Sequence, residues 1–225
     1  MNILALDSAD QILSAALACE TGVWYTEIDA GTRHSELLMG SVDELCKNAG
    51  IKPGKLELIA CMKGPGSFTG LRIGFSAAKG MAVALKIPLA TVPTLDCLAY
   101  PFSVWPGIVL PAIDAKKGCF FTALYRKEQR LTDYMDISPE NLAKELQKAR
   151  LFPDEQIVLT GCGADLLCSR LAEYFPLEHI RVDPKSKRGG ARELLEIIKG
   201  TILYVDDINS GPVYLRKSDA ELKTQ

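Results

Sequence analysis

Residues Lys63-Gly64-Pro65-Gly66-Ser67-Phe68-Thr69-Gly70-Leu71-Arg72-Ile73-Gly74 decide how this chain is read. The apolar run 56–62 before them reads as a buried strand, and the Ala-rich stretch from Phe75 to Leu85 and a little beyond reads as a helix. A strand, a glycine-rich turn and a helix start together leave backbone N–H groups pointing outward, a setting that suits an anion. Neither common phosphate loop is present, however. The Walker pattern needs Gly-Lys-Ser/Thr, whereas Gly70 is followed by Leu71 and Arg72. The dinucleotide fingerprint needs Gly-x-Gly-x-x-Gly, and the last gap here is one residue too long.

Upstream, the apolar stretches 2–6, 12–19 and 23–28 are broken by Asp7-Ser8-Ala9-Asp10-Gln11 and Glu20-Thr21-Gly22, which predicts an antiparallel meander. Arg33-His34-Ser35-Glu36 opens a helix, Leu38, Val42, Leu45 and Ala49 follow at helical spacing, and Gly50 ends it. Downstream, 88–93 reads as a short strand and 94–100 as a helix, so the order is βββαβαβα. The Pro- and Gly-containing stretch 101–107 marks a boundary. Strands are then expected over 108–113, 119–125, 131–137, 156–160 and 179–182. Helices are expected from Ser138-Pro139-Glu140 to about Ala149, from Gly163 to about Tyr174, and over 191–199 with a continuation at 201–205.

The second half repeats the first. Leu4-Ala5-Leu6-Asp7-Ser8-Ala9 lies over Pro111-Ala112-Ile113-Asp114-Ala115-Lys116, and the strand–Gly64-Pro65-Gly66–helix unit recurs around Gly161-Cys162-Gly163. Two lobes of one plan, each opening on a strand that ends at Asp, predict an α/β protein. Its two ribonuclease-H-like lobes follow the actin, Hsp70 and sugar-kinase (ASKHA) superfamily. The other reading is a single doubly wound sheet. The expected lobes are 1–103 and a smaller, degenerate 104–211, with 212–225 a candidate to complete the first. Proteins of that superfamily hold ATP phosphates on the turn after the first strand. Here that turn is Asp7-Ser8-Ala9-Asp10: it has no glycine, and a second carboxylate faces the place of the phosphates. Asp7 is expected to bond its own turn backbone instead.

Composition narrows the classes further. A net charge of −2 excludes a strongly basic nucleic-acid binder acting alone, and 48% hydrophobic residues supply a core without disulfides. The run Lys185-Ser186-Lys187-Arg188 reads as a solvated loop, or else as a few contacts to an RNA backbone. The N-terminus lacks the features of a signal peptide, and no apolar run is long enough to span a bilayer. Seven scattered cysteines (Cys19, Cys46, Cys61, Cys97, Cys119, Cys162 and Cys168) fit free thiols in a reducing cytoplasm. Only His34 and His179 are present, so a histidine pair at one-turn spacing is excluded and no metal site is expected. No Gly-x-Ser-x-Gly occurs, and no base can be named beside Ser67 or Thr69; Ser67 is expected to cap the following helix.

Capping does not account for Gly70, Gly74, Ala78 and Ala82, which recur every four residues as a smooth stripe. Glycine costs a helix about 1 kcal/mol relative to Ala, so it is kept where another backbone comes close. That backbone belongs either to the protein's own sheet or to a second protein. With His34, Leu38, Val42 and Leu45 from the preceding helix, the stripe forms the expected partner interface.

Gly64-Pro65-Gly66-Ser67-Phe68-Thr69-Gly70-Leu71-Arg72-Ile73-Gly74 resembles the signature of the bacterial TsaB (YeaZ) family. So do Arg33-His34-Ser35-Glu36-Leu37-Leu38, Asp114-Ala115-Lys116-Lys117-Gly118 and Gly211-Pro212-Val213-Tyr214-Leu215-Arg216. Met39-Gly40 stands where that family usually has a proline. The resemblance implies a non-catalytic scaffold in the synthesis of threonylcarbamoyladenosine in tRNA. It implies a homodimer, or a heterodimer with the transferase TsaD, through the first-lobe helices; the small ATPase TsaE is the third member. ATP and metal are then expected on TsaD, none on this chain, and tRNA only as part of the complex. Gly64, Pro65, Gly66, Ser67, Phe68, Thr69 and Arg72 form the family-motif loop. Two enzymatic alternatives are an ATP-dependent phosphotransferase using Asp7 and Asp114, and a peptidase acting on TsaD.

Overall fold

The computed structural model describes residues 1–200 and 209–216. The chain divides into two units: Met1–Cys97 with Gly189–Val213, and Leu98–Arg188 with Tyr214–Gln225.

In the first unit, β1 (Ile3–Asp7), β2 (Ile12–Cys19) and β3 (Gly22–Asp29) form the expected meander. Helix α1 (His34–Ala49) ends where Gly50 turns left-handed and its N–H reaches the Cys46 and Lys47 carbonyls. Strand β4 (Leu58–Met62) leads through the glycine-rich turn into α2 (Phe68–Leu85), followed by β5 (Leu89–Val92) and α3 (Thr94–Ala99). The helix starts seven residues before the expected Phe75, because Gly70 and Gly74 lie inside it. The sheet order is β3-β2-β1-β4-β5, with β1–β4 and β4–β5 parallel. Being central, β1 is buried along its whole length and alternates between two cores. Leu4 and Leu6 face α1 and α2, whereas Ile3 and Ala5 face the other layer.

In the second unit, β6 (Ile108–Asp114), β7 (Phe120–Thr122), β8 (Tyr125–Arg126), β9 (Gln129–Arg130) and β10 (Met135–Ile137) precede α4 (Pro139–Ala149). Ser138 Oγ accepts from the Asn141 N–H and caps α4, with Pro139 in its first turn. The strand expected over 131–137 is shorter, and part of the pairing moves to the β8–β9 hairpin. Then come β11 (Ile157–Thr160), α5 (Ala164–Leu171) and β12 (Ile180–Val182). The order β10-β7-β6-β11-β12 repeats the first sheet strand for strand, so the internal repeat is a repeat of fold.

The chain then returns. Helix α6 (Ala191–Gly200) packs Leu194, Leu195, Ile197 and Ile198 on the second face of the first sheet. The division therefore differs from the expected 1–103 and 104–211. It falls at Cys97/Leu98, residues 101–107 are a loop within the second unit, and Gly189–Val213 belongs to the first. The apolar face of α6 needs a sheet to cover, and its start is held by side chains of β1 and β2, as described next. The expected helical continuation over 201–205 lies outside the described residues, as does most of 212–225.

Candidate interaction site around the glycine-rich helix

The glycine-rich turn folds onto the β1–β2 turn. A Cβ on Gly66 would overlap the Ala9 carbonyl oxygen, one on Gly70 the Ser8 carbonyl oxygen, and one on Gly74 the Ser8 hydroxyl. The Ser67 N–H donates to the Ala9 carbonyl (2.7 Å), Ser8 Oγ donates to the Gly70 carbonyl (2.8 Å), and Ser67 Oγ accepts from the Gly70 N–H (3.2 Å). Ser67 is thus the N-cap of α2, as expected. Gly64 (φ +102°) follows the same logic: a side chain there would press on the Val213 carbonyl, whose residue N–H donates to Lys63. The Gly64-Pro65 peptide bond is cis.

From the other side, α6 closes the same turn. The buried Asp7 carboxylate accepts from the Ala9 N–H (2.9 Å) and the Gly190 N–H (2.8 Å), and Ser14 Oγ accepts from the Ala191 N–H (3.1 Å). The N-terminal N–H groups of α6 therefore meet an internal anion and a hydroxyl. Burial pushes the Asp7 carboxyl above its ordinary range, against the pull of the Ala9 and Gly190 amides. Burial does the same to Glu193, and, with nearby carboxylates, pushes the Cys97 thiol well up. Asp7, Ser8 and Ala9 are all buried, so the start of this turn is covered by the protein itself.

This packing corrects the expected interface. Gly70, Gly74, Ala78 and Ala82 are buried on α2, and the stripe meets its own hairpin and sheet. Leu38, Val42 and Leu45 are core residues beneath α1. His34 is buried too, and its Nε2–H donates to the Asp10 carbonyl (2.8 Å), tying the start of α1 to the same turn. None of the eight presents a surface. The physical reason is that the β1–β2 turn needs a helix backbone directly against it, and only glycine permits that approach.

The outer sides of α1 and α2 carry a second run of small residues. Ser76, Gly80 and Ala84 are exposed at the same four-residue spacing, and a Cβ on Gly80 would meet nothing within 4 Å. Val83 is 59% exposed and Met39 on α1 50%, with Leu37, Ile73, Ala77 and Met81 half-buried along the margins. At the start of α2 the Arg72 guanidinium stacks 3.8 Å over the Phe68 ring, beside an open depression lined by Phe68, Thr69, Arg72, Ile73 and Ser76. This second stripe was legible in the spacing but hidden behind the more conspicuous glycines.

In the second unit the corresponding turn is open. Asp114 accepts from the Lys116 N–H (2.8 Å) and Nζ (2.7 Å), and Lys116, Lys117 and Gly118 are exposed. Burial raises the Asp114 carboxyl, but Lys116 outweighs it and holds the group below its ordinary range. Lys187 of the basic run pairs with Asp165 (3.0 Å). Among the described residues no three His, Cys, Asp or Glu side chains gather as metal ligands would, and no helix is long and apolar enough to cross a membrane.

Residues 27–158 match the family model for TsaD, tRNA N6-adenosine threonylcarbamoyltransferase. The chain is 36% identical over 134 residues to the tRNA threonylcarbamoyladenosine biosynthesis protein TsaB of Bacillus subtilis, a match covering 59% of this chain and 58% of that one. The match thus spans less than three fifths of that relative's length. A Pseudomonas aeruginosa protein described as similar to peptidase YEAZ superposes with a TM-score of 0.80 at 24% identity, over 96% of this chain and 99% of that one. An inorganic polyphosphate/ATP-glucomannokinase from an Arthrobacter strain superposes with a TM-score of 0.50 at 11% identity, over 89% of this chain and 99% of that one. These two likenesses bear on fold alone, and they agree with the doubled ASKHA plan seen in the sheets. The chain therefore belongs to the family that the TsaD model describes, and the TsaB protein of B. subtilis is among the relatives it resembles.

Proposed function

We propose that this chain is a non-catalytic subunit in the biosynthesis of threonylcarbamoyladenosine in tRNA, pairing with a TsaD-type transferase through the outer faces of α1 and α2. The observation that carries this reading is the filled β1–β2 turn. Asp7 bonds the start of α6, and Gly66 and Gly70 lie against the backbone of the same turn; on this reading they take the space that superfamily enzymes give to phosphates. The name of its B. subtilis relative supports the pathway. On this reading ATP and metal belong to the transferase, TsaE joins the pair, a homodimer uses the same helix faces, and tRNA meets the complex and not this chain alone. The free cysteines suit a cytoplasmic setting.

The phosphotransferase alternative keeps one specific support, the open Asp114 turn of the second unit. Titration calorimetry with ATP-Mg²⁺ separates the two, since the scaffold reading predicts no micromolar binding to the isolated chain. Reconstitution adds the direct test. The transferase, TsaE, threonylcarbamoyl-adenylate and tRNA should give modified adenosine, read by mass spectrometry, only when this chain is included. Modification without it, or turnover by this chain alone, contradicts the proposal.

A further inference from the structure

Strands β6, β11 and β12 are parallel neighbours that begin at one end of the second unit's sheet, with Ile108, Ile157 and Ile180 in register. The loops that feed these starts are unusually apolar at their surface. Val104 is 90% exposed, Leu151 63% and Phe152 64%, and Tyr174 and Leu177 are exposed as well. The same loops hold buried polar atoms without a hydrogen-bond partner: Trp105 Nε1, Arg150 Nε and Nη2, and His179 Nδ1. No other described side chain of the second unit has such an atom. Contacts link these loops. The Arg150 guanidinium lies 5.3 Å from the Phe175 ring, and Gly107, beside the Trp105 indole nitrogen, abuts the Gln156 backbone.

Native proteins pair nearly all their buried polar groups, so a cluster of orphans under an apolar surface is unusual. The orphan atoms of Arg150 are those of one edge of its guanidinium, and this unit shows what that edge does when a carboxylate is in reach. Arg216 Nε and Nη2 grip the two Asp136 oxygens at 2.6 Å each, and Arg126 uses the same edge on Glu155 at 2.9 to 3.1 Å. We infer that this end of the second unit docks a peptide segment of another protein, in which an acidic side chain flanked by apolar ones gives its carboxylate to Arg150 and its backbone acceptors to Trp105. The exposed Asp154, Glu173 and Glu178 on the same loops oppose a polyanion, which favours a single carboxylate over a nucleic-acid backbone.

The test uses the full ¹⁵N-labelled chain carrying Trp24→Phe, which leaves Trp105 as its one indole. N-acetyl-Leu-Glu-Leu-amide at millimolar concentration should shift the Trp105 Nε1–H and Arg150 Nε–H resonances. The Gln analogue should bind at least about tenfold more weakly, and Arg150→Met should remove the preference for Glu. Phe152→Ser, at a position 64% exposed, should weaken both peptides with the thermal midpoint unchanged. Equal binding of the Glu and Gln peptides, or no shift with either, overturns the proposal. So does a stronger response to oligouridylate, or resonances that move with protein concentration alone, which would assign the surface to nucleic acid or to a second copy.

Discussion

The β1–β2 turn and the β6–β7 turn occupy the same place in a repeated fold; each has a glycine backbone against its base, and they differ in what covers the rest. Asp7 is buried beneath a glycine-rich helix on one side and the start of α6 on the other. Asp114 sits at an open turn and is held by a lysine two residues away. The first turn has become part of a core, whereas the second has kept a surface. Duplication supplies the plan of a lobe, and what covers the hairpin decides whether a ligand can reach it.

That contrast breaks most sharply at the glycines. Gly70→Val drives a side chain into the Ser8 carbonyl and should cost about 3 kcal/mol of stability, seen as a large fall in the urea midpoint. Gly118→Ala in the open turn meets nothing within 4 Å and carries only its left-handed backbone (φ +76°), so it should cost about 1 kcal/mol. Equal costs would mean that the two turns are equally packed.

The aspartates sharpen the comparison at a smaller scale. Asp7→Ala strands the buried Gly190 and Ala9 N–H groups and should cost about 2 kcal/mol, whereas Asp114→Ala removes an exposed pairing and should cost less than about 1 kcal/mol. Their pH dependences should have opposite sign. The folded chain holds the Asp7 proton more tightly than the unfolded chain does, so the Asp7 contribution is complete below the unfolded carboxyl range and falls as pH rises through the folded value. Lys116 holds Asp114 down, so its contribution is present above the unfolded range and is lost as pH falls through the folded value. The deficit of Asp7→Ala should therefore be larger at about pH 4 than at about pH 7, and that of Asp114→Ala smaller. Chemical denaturation of both variants across that interval measures the two slopes.

Much of this fold is legible in the chain. The doubled strand–Asp and strand–glycine–helix units predict two lobes because both are local patterns, and each is realised with the same strand order. The face of α2 was not legible. Gly70, Gly74, Ala78 and Ala82 on one side and Ser76, Gly80 and Ala84 on the other give the helix small residues all round, so spacing alone does not say which side meets the sheet. Nor was the return of α6, since its anchor joins Asp7 to Gly190 across 183 positions and a hydrogen bond of that reach leaves no periodic trace. The packing of the first hairpin was half visible: the turn Asp7-Ser8-Ala9-Asp10 has no glycine of its own, but only the fold brings Gly66, Gly70 and Gly74 against it.

The proposed docking of α1 and α2 onto a TsaD-type transferase is tested most directly by Gly80→Arg, which places a long charged side chain on the exposed stripe without touching the core. Co-purification and sedimentation of the variant with the transferase should show the complex lost or weakened by more than about tenfold, with the thermal midpoint of the isolated chain unchanged. A complex of undiminished strength would place the partner elsewhere and contradict the account.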